Sequence, residues 1–138
     1  MSLLMIDLDK IHDINDRYGT KVGDQVIISA AEGIQSCLRP GDIPARLAGD
    51  EFAILLPDTD KKDAFKVAER IRKKIEEKEI EVPSSPSSKE TVIIRNRTSI
   101  GISIAPIHAK TTDELEKTAD AALRKAKELG RNRVEVFG

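Results

Sequence analysis

The sequence has very few aromatic residues and almost no cysteine. Its 138 residues include three Phe, one Tyr and no Trp, so the stacking platforms that hold single-stranded nucleic acid are not expected. Cys37 is the one cysteine, which excludes an internal disulfide and a zinc site with four cysteine ligands. Because Cys37 falls in a helical pattern, we interpret it as a small packed residue.

Long apolar runs and an excess of one charge are also missing. No segment is apolar for long enough to cross a bilayer, and no signal peptide is recognisable. Formal net charge is −1, so no overall field attracts a nucleic acid polymer or an anionic membrane. Any anion site must therefore be local. We expect a cytoplasmic protein, or the cytoplasmic part of a larger, membrane-anchored one.

Helical and strand patterns alternate over a length typical of one domain. Helices are predicted over residues 23–38 and 60–77 and after Thr111, which forms a capping box with Glu114. This last helix has Leu115, Ala119, Ala122, Ala126 and Leu129 on one face and ends at Gly130. Strands are predicted over residues 3–8, 43–47, 52–56, near Ile80, over 91–105 with a break at 95–97, and over 133–137. Because two hairpins make the sheet partly antiparallel, we predict an α/β fold of the α+β type, with one mixed central sheet covered by helices.

Acidic residues lie at the ends of two predicted strands. Asp7 is near the end of the first strand, and Asp50 and Glu51 occupy the tip of a hairpin. A hairpin tip needs Gly, Asn or Asp for positive φ, but it does not need a second carboxylate. If the hairpin pairs beside the first strand, Asp7 and Asp50 face each other and a cation between them relieves their repulsion. Oxygen ligands suit Mg²⁺ or Mn²⁺; the alternative is an ordinary acid-rich turn, and the pattern leaves both open.

A short polar segment, residues 9–19, follows the first strand and ends at Gly19. Backbone N–H groups at such a strand-to-helix turn form a nest for an anion. Lys127 and Arg131, near the end of the last predicted helix, are placed to reach the same anion. For either residue alone, a solvated charge or a partner of the helix dipole is the simpler explanation.

Several segments, in order, resemble the GGDEF domain, the diguanylate cyclase domain of bacterial second-messenger signalling. Their order and spacing agree with that family over nearly the whole chain. They are residues 7–16, Gly23-Asp24, Ala48-Gly49-Asp50-Glu51-Phe52, residues 98–102, residues 119–123 and residues 126–132. The resemblance implies a palm-like nucleotidyl cyclase fold. It also implies that residues 1–138 form a single GGDEF-like domain lacking the family's usual N-terminal helix.

The resemblance implies a reaction in which two GTP molecules condense to cyclic di-GMP and two pyrophosphates. Each domain would hold one GTP, so a homodimer is required. Asp7, Asp50 and the Leu8 carbonyl would bind Mg²⁺ or Mn²⁺. Asp50 and Glu51 would be the catalytic carboxylates, with Glu51 beside the metal.

The substrate contacts also follow from the resemblance. Asn15 and Asp24 would recognise the guanine edge, because an amide can donate to O6 and a carboxylate can accept from the N1 and N2 hydrogens. The groups that would hold the phosphates are the backbone N–H groups near Lys10 and Ile11 and the side chains of Lys127 and Arg131.

A second constellation, Arg39-Pro40-Gly41-Asp42, precedes the hairpin. It resembles the family's Arg-x-x-Asp inhibitory site, at the family's distance from the signature. Arg39 and Asp42 would bind cyclic di-GMP there as a product dimer, with Arg70 on the next helix assisting. Without the resemblance, Pro-Gly is an ordinary helix stop and Arg39 an ordinary last-turn cation.

The sequence departs from the family pattern at Ala48, which replaces the first signature glycine, and at His12, which replaces the usual lysine. We expect an upstream sensory or receiver domain in the full protein. Retention of the acids and cations named above favours an enzyme. The alternatives are a degenerate domain that binds GTP or cyclic di-GMP and regulates a partner, and an interaction domain that binds no nucleotide.

Overall fold

Seven strands and four helices alternate along residues 1–138, all of which the computed structural model describes. They are β1 (Ser2–Leu8), α1 (Ile11–Tyr18), α2 (Thr20–Ser36), β2 (Ile43–Ala48), β3 (Glu51–Leu56), α3 (Lys61–Glu77), β4 (Ile80–Pro83), β5 (Thr91–Ile94), β6 (Thr98–Ile104), α4 (Thr112–Glu128) and β7 (Val134–Val136). Five strands form the central sheet in the order β2-β3-β1-β6-β7, and β4 pairs with β5 in a separate sheet. Only β6 and β7 pair in parallel. The prediction of a mixed, partly antiparallel sheet with helices is confirmed.

Strand β1 lies at the centre of the sheet, and all seven of its residues are buried. Leu4, Ile6 and Leu8 contribute to the larger core, which includes buried residues of α2 and α3. Leu3 and Met5 contribute to a smaller core beneath α4. A strand covered on both faces needs a nearly continuous apolar run, so an acid within it is confined to the end of the strand.

Helix α4 lies directly on β6. A Cβ atom added to Gly101 would be 2.2 Å from the backbone N of Leu123 and 2.4 Å from the carbonyl O of Ala119. Because backbone atoms cannot move away as a flexible side chain can, this strand needs glycine at the crossing point. The close approach places the last turn of α4 beside the end of β1.

The ends of α4 follow the predicted capping. Thr111 accepts a hydrogen bond from the backbone N of Glu114 at 3.1 Å, whereas the Glu114 carboxylate accepts from the N of Lys110 rather than from Thr111. Gly130 has a φ of 122°, as expected of the residue after a helix. The amide of Arg131 donates to the Ala126 carbonyl at 3.0 Å, which closes the last turn.

Some predicted boundaries were wrong. Residues 11–18 form helix α1, and α2 begins at Thr20 rather than at residue 23. The single strand predicted over residues 91–105 is two strands in different sheets, β5 and β6, because the chain changes sheets at the predicted polar break. Leu129 is 49% exposed, whereas Leu123 is buried, since it packs where α4 crosses β6. No helix combines the length and apolarity needed to cross a membrane.

Candidate active site

The acids predicted at two strand ends meet at one edge of the central sheet. Strands β1 and β3 pair antiparallel, with Asp7 directly opposite Glu51, and the backbone N of Leu8 donates to the Asp50 carbonyl at 3.0 Å. The prediction that Asp7 faces Asp50 was therefore wrong by one residue. The reason is that β3 begins at Glu51, which leaves Asp50 in the turn.

The side chain of Arg46 braces the hairpin tip. Its Nε and Nη2 donate to the Gly49 carbonyl at 3.1 and 2.9 Å, and its Nε also contacts the Ala48 carbonyl at 3.3 Å. The pairing of β2 with β3 shifts between Arg46 and Ala48. Ala48 is the last residue of β2 and lies opposite Glu51, so the hairpin closes with alanine in place of the first signature glycine. A Cβ atom on Gly49 would meet no atom within 4 Å.

Asp7 is a buried acid with one unpaired oxygen. Lys127 on α4 donates to its Oδ2 atom, while its Oδ1 atom is buried without a hydrogen-bond partner. Burial raises the pKa of Asp7, the hydrogen bond and the charge of Lys127 oppose that rise, and the charges of Asp50 and Glu51 add to it. The net pKa is raised, so the site disfavours this negative charge and a cation at Oδ1 would stabilise it.

The residues at this edge fit a hard divalent cation, provided that other ligands complete its shell. No three His, Cys, Asp or Glu side chains converge closely enough to hold a metal ion. Mg²⁺ in nucleotide sites takes one or two carboxylates and fills the remaining positions with water and phosphate. The carboxylates of Asp7 and Asp50 and the carbonyl of Leu8 are oxygen donors of the type that such an ion takes, and the unpaired Oδ1 atom of Asp7 would be one ligand.

A basic cleft of about 580 Å³ includes Lys127 in its wall. Six cations and two acids line it: Lys10, Arg17, Arg95, Arg97, Lys127, Arg131, Asp9 and Asp13. The structure thus brings together three residues predicted to lie near phosphate, namely Lys10, Lys127 and Arg131. Sequence reasoning missed Arg17, Arg95 and Arg97. The charged break between β5 and β6 was the available signal for two of them.

The N-terminus of α1 opens onto this cleft through Lys10. Lys10 is the N-cap residue, with a φ of 59°, and no side chain caps the helix. The first N–H groups of a helix have no partner within the helix, and they favour an anion. Ile11 is 6% exposed, and its side chain belongs to the core, so any contact of this residue with a ligand would be through its backbone.

The residues predicted to recognise guanine lie on neighbouring helices, outside the lining of the basic cleft. Asn15 on α1 packs against Gly23 on α2, where an added Cβ atom would be 1.6 Å from the Oδ1 atom of Asn15. That oxygen is buried without a hydrogen-bond partner. Asp24, the next residue on α2, is exposed. Gly23 therefore leaves the space that the Asn15 side chain occupies on α2.

The three residues of the predicted product site line one separate cavity of about 220 Å³. Arg39 donates from its backbone N to Asp42 at 3.0 Å, and its Nη2 atom donates to the Thr59 hydroxyl at 2.7 Å and to the Pro57 carbonyl at 3.2 Å. The Asp42 side chain is only 3% exposed. Arg70 on α3 completes the lining and is exposed.

Comparison with known proteins identifies the same family along the chain and in the fold. The family "Diguanylate cyclase, GGDEF domain" matches residues 1–133. Diguanylate cyclase A of Treponema denticola is 42% identical over 136 residues, which cover 99% of this chain and 35% of that protein. The probable diguanylate cyclase DgcT of Escherichia coli is 37% identical over 134 residues, 97% of this chain and 28% of that protein. The chain thus spans about a third of the length of these curated relatives.

Solved structures agree with the sequence comparison. The crystal structure of the GGDEF domain of YfiN (TpbB) from Pseudomonas aeruginosa matches with a TM-score of 0.90 at 33% identity, over 99% of this chain and 81% of that one. The GGDEF domain of DgcB from Caulobacter crescentus, solved in complex with c-di-GMP, matches with a TM-score of 0.87 at 29% identity, over 98% and 76%. Family, relatives and fold coincide over nearly every residue, and the chain belongs to the GGDEF domain family of diguanylate cyclases.

Proposed function

We propose that this chain is a diguanylate cyclase domain that condenses two GTP molecules to cyclic di-GMP and two pyrophosphates in the presence of Mg²⁺ or Mn²⁺. The observation that carries the proposal is the unpaired, buried oxygen of Asp7, at an acidic strand edge beside a cleft with six cations. An acidic edge suits the metal, and a basic cleft suits the polyphosphate. Two relatives are named as diguanylate cyclases, one of them as a probable one, which supports the same reaction.

Asp7, Asp50 and the Leu8 carbonyl would hold the metal, and Glu51 would lie beside it, opposite Asp7. A bound divalent ion would neutralise phosphate charge and acidify the attacking hydroxyl. Lys127 now pairs with the Oδ2 atom of Asp7. Once a cation compensates Asp7, Lys127 is free to turn to a phosphate oxygen within the cleft that it lines.

The remaining phosphate contacts would come from the backbone N–H groups near Lys10 and Ile11 and from the guanidinium of Arg131. Asn15 is suited to guanine because its Oδ1 atom is turned into the protein, which leaves its Nδ2 atom to donate to O6. Asp24 would accept from the N1 and N2 hydrogens. Adenine would leave these groups unpaired, and such a mismatch is strongly disfavoured in a site built for hydrogen bonds.

Catalysis would require a homodimer, because each domain binds one GTP and the 3′-hydroxyl of each nucleotide attacks the α-phosphorus of the other. The relatives are about three times as long as this chain. We propose that an upstream sensory or receiver domain brings two copies together, and that the domain works in the cytoplasm.

Feedback by the product would act at the cavity of Arg39, Asp42 and Arg70. Arg39 offers a guanidinium on a side chain that is 62% exposed, and Asp42 a carboxylate that is held beside it; these are the groups that guanine and phosphate need. The DgcB domain was solved in complex with c-di-GMP, so a domain of this fold does bind the product.

The test is turnover of GTP with Mg²⁺, with cyclic di-GMP measured by chromatography and the domain held as a dimer by a fused coiled coil. Asp50→Asn is expected to abolish turnover with the fold intact, because Asp50 lies in a turn. Asp120→Asn, a change at an exposed position on α4, is the matched control and should keep full activity. Normal turnover by Asp50→Asn would refute the metal assignment. Binding of GTP or cyclic di-GMP without turnover would favour the alternative, a degenerate module that regulates a partner domain.

A further inference from the structure

The chain leaves α4 through three consecutive residues with positive φ. Gly130, Arg131 and Asn132 have φ values of 122°, 65° and 46°. Residues other than glycine are strained in this region and stay there only when surrounding contacts hold them. Arg131 is 44% exposed, so the direction of its guanidinium depends on how firmly this backbone is held.

Asn132 is held from two other elements. Its backbone N donates to the Oδ2 atom of Asp9, just beyond β1, at 3.0 Å. Its side-chain amide donates to Glu76 on α3 and accepts from the Nη1 atom of Arg72 on α3 at 3.2 Å. Arg72 is in turn fixed by two hydrogen bonds to Glu69, both of 3.0 Å. Every polar group of the Asn132 side chain thus contacts α3.

Asp9 differs from Asp7 in that both of its oxygens are already used. It is 6% exposed, and its Oδ1 atom accepts from the Ser99 hydroxyl at 2.7 Å. Its Oδ2 atom accepts from Asn132, and its Oδ1 atom also lies 3.8 Å from the Nη1 atom of Arg131. Asp9 therefore contacts both the backbone after α4 and the guanidinium that this backbone carries.

We propose that Asp9 and Asn132 are positioning residues for phosphate binding. They fix the left-handed segment after α4 so that Arg131 points into the basic cleft, and Glu76 and Arg72 brace Asn132 from α3. This inference rests on the proposed function only in assigning Arg131 to phosphate. It requires neither turnover nor a dimer.

A role of Asp9 through its charge and a role in positioning Arg131 predict opposite effects of neutralising Asp9 on polyphosphate binding. Asp9 lines the basic cleft, so removing its negative charge should strengthen polyphosphate binding if charge is all that matters. If Asp9 positions Arg131, Asp9→Asn should weaken binding, because an amide cannot accept from Ser99, Asn132 and Arg131 as a carboxylate does. Asp13→Asn is the matched control, since Asp13 is an exposed acid of the same cleft.

The experiment is titration calorimetry of the full chain with Mg²⁺-GTP and with inorganic tripolyphosphate, which has no base to recognise. We expect Asp9→Asn to weaken both by about tenfold, as the loss of a hydrogen bond to a charged group does, with Asp13→Asn unchanged or tighter. In an Arg131→Ala background, Asp9→Asn should have no further effect. The proposal would be overturned if Asp9→Asn bound both ligands as tightly as the unaltered chain does. It would also be overturned if Asp9→Asn weakened binding equally in the Arg131→Ala background.

A second pair of variants guards against a loss of folding at the buried Asp9. Glu76→Ala removes a brace of Asn132, whereas Glu77→Ala removes an exposed acid of the same helix that forms no ion pair. Weaker tripolyphosphate binding in Glu76→Ala alone supports the network, and equal binding in both variants overturns it. Because tripolyphosphate binding is measured without turnover, a chain that makes no cyclic di-GMP would refute the proposed function and leave this inference standing.

Discussion

Lys127 on α4 and Asp7 on β1 are 120 residues apart in the sequence and form an ion pair at the acidic edge of the sheet. The pair satisfies one oxygen of Asp7 and leaves the other without a partner. Under the proposed function, a cation would bind Asp7 and a substrate phosphate would bind Lys127. Two residues with separate predicted roles thus hold each other in place before any ligand binds.

The first prediction concerns the stability of the domain without ligand. The pKa of Asp7 is raised, mainly by burial. Above that pKa the ionised carboxylate destabilises the folded state. This destabilisation disappears as the pH falls and the acid is protonated. Asp7→Asn should therefore raise the melting temperature at neutral pH in EDTA and abolish the stabilisation by Mg²⁺-GTP. Thermal denaturation beside Asp120→Asn measures both effects. A lower melting temperature for Asp7→Asn would show that the pair with Lys127 outweighs the burial.

The second prediction concerns the contact between Asn15 and Gly23. Gly23→Ala would place a Cβ atom 1.6 Å from the Oδ1 atom of Asn15, so Asn15 must move away. We expect a KM for GTP raised by up to about tenfold, as the loss of one hydrogen bond to the base does, and a loss of stability of about 1–3 kcal/mol. Gly33→Ala, on the same helix, is the control, because its Cβ atom would lie 3.7 Å from Lys74. It should stabilise α2 by up to ~1 kcal/mol. Equal KM values in the two variants would mean that Asn15 does not recognise guanine.

The third prediction concerns product feedback. Arg39→Ala should relieve inhibition by cyclic di-GMP without lowering the initial rate. The reason is that the cavity lined by Arg39 includes none of the acids at the catalytic edge. Initial rates measured against added cyclic di-GMP, beside Arg124→Ala on the exposed face of α4, provide the comparison. Inhibition that persists unchanged in Arg39→Ala would mean that this residue only braces the chain after α2, through Thr59 and Pro57.

The sequence predicted the helices and strands that follow from local patterns. The spacing of Val26, Ala30 and Ile34 marks the buried face of α2, and the apolar run after Glu51 marks β3. Which acid stands opposite Asp7 could not be predicted, because the answer depends on the register in which β1 pairs with β3, and local patterns do not fix that register. A one-residue change of register alters every cross-strand pair.

The sequence patterns could not predict contacts between distant segments either. Asp9 and Asn132 are 123 residues apart, and neither lies in a periodic segment that would point to the other. Helix α1 was missed because its eight residues are mostly polar and only Ile11 is buried. The resemblance to a family supplied roles for single residues, whereas the network that positions Arg131 became visible only when β1, α3 and the end of α4 were seen together.

The last prediction concerns the brace on α3 and its dependence on pH. The hydrogen bonds from Arg72, and then the charges of Arg72 and Lys73, lower the pKa of Glu69 below its ordinary value of 4.5. A carboxylate whose pKa is lower in the folded state contributes stability above the unfolded value, and that contribution is lost as the pH falls through the folded value. Glu69→Gln should therefore cost about 0.5–1 kcal/mol at pH 7 and show a smaller further loss below pH 4.5 than the unaltered chain does. Urea denaturation at pH 7 and at acid pH, with Glu77→Gln as the exposed control, measures the difference. Parallel stability curves for Glu69→Gln and the unaltered chain would mean that Arg72 is held by Glu76 and Asn132 without help from Glu69.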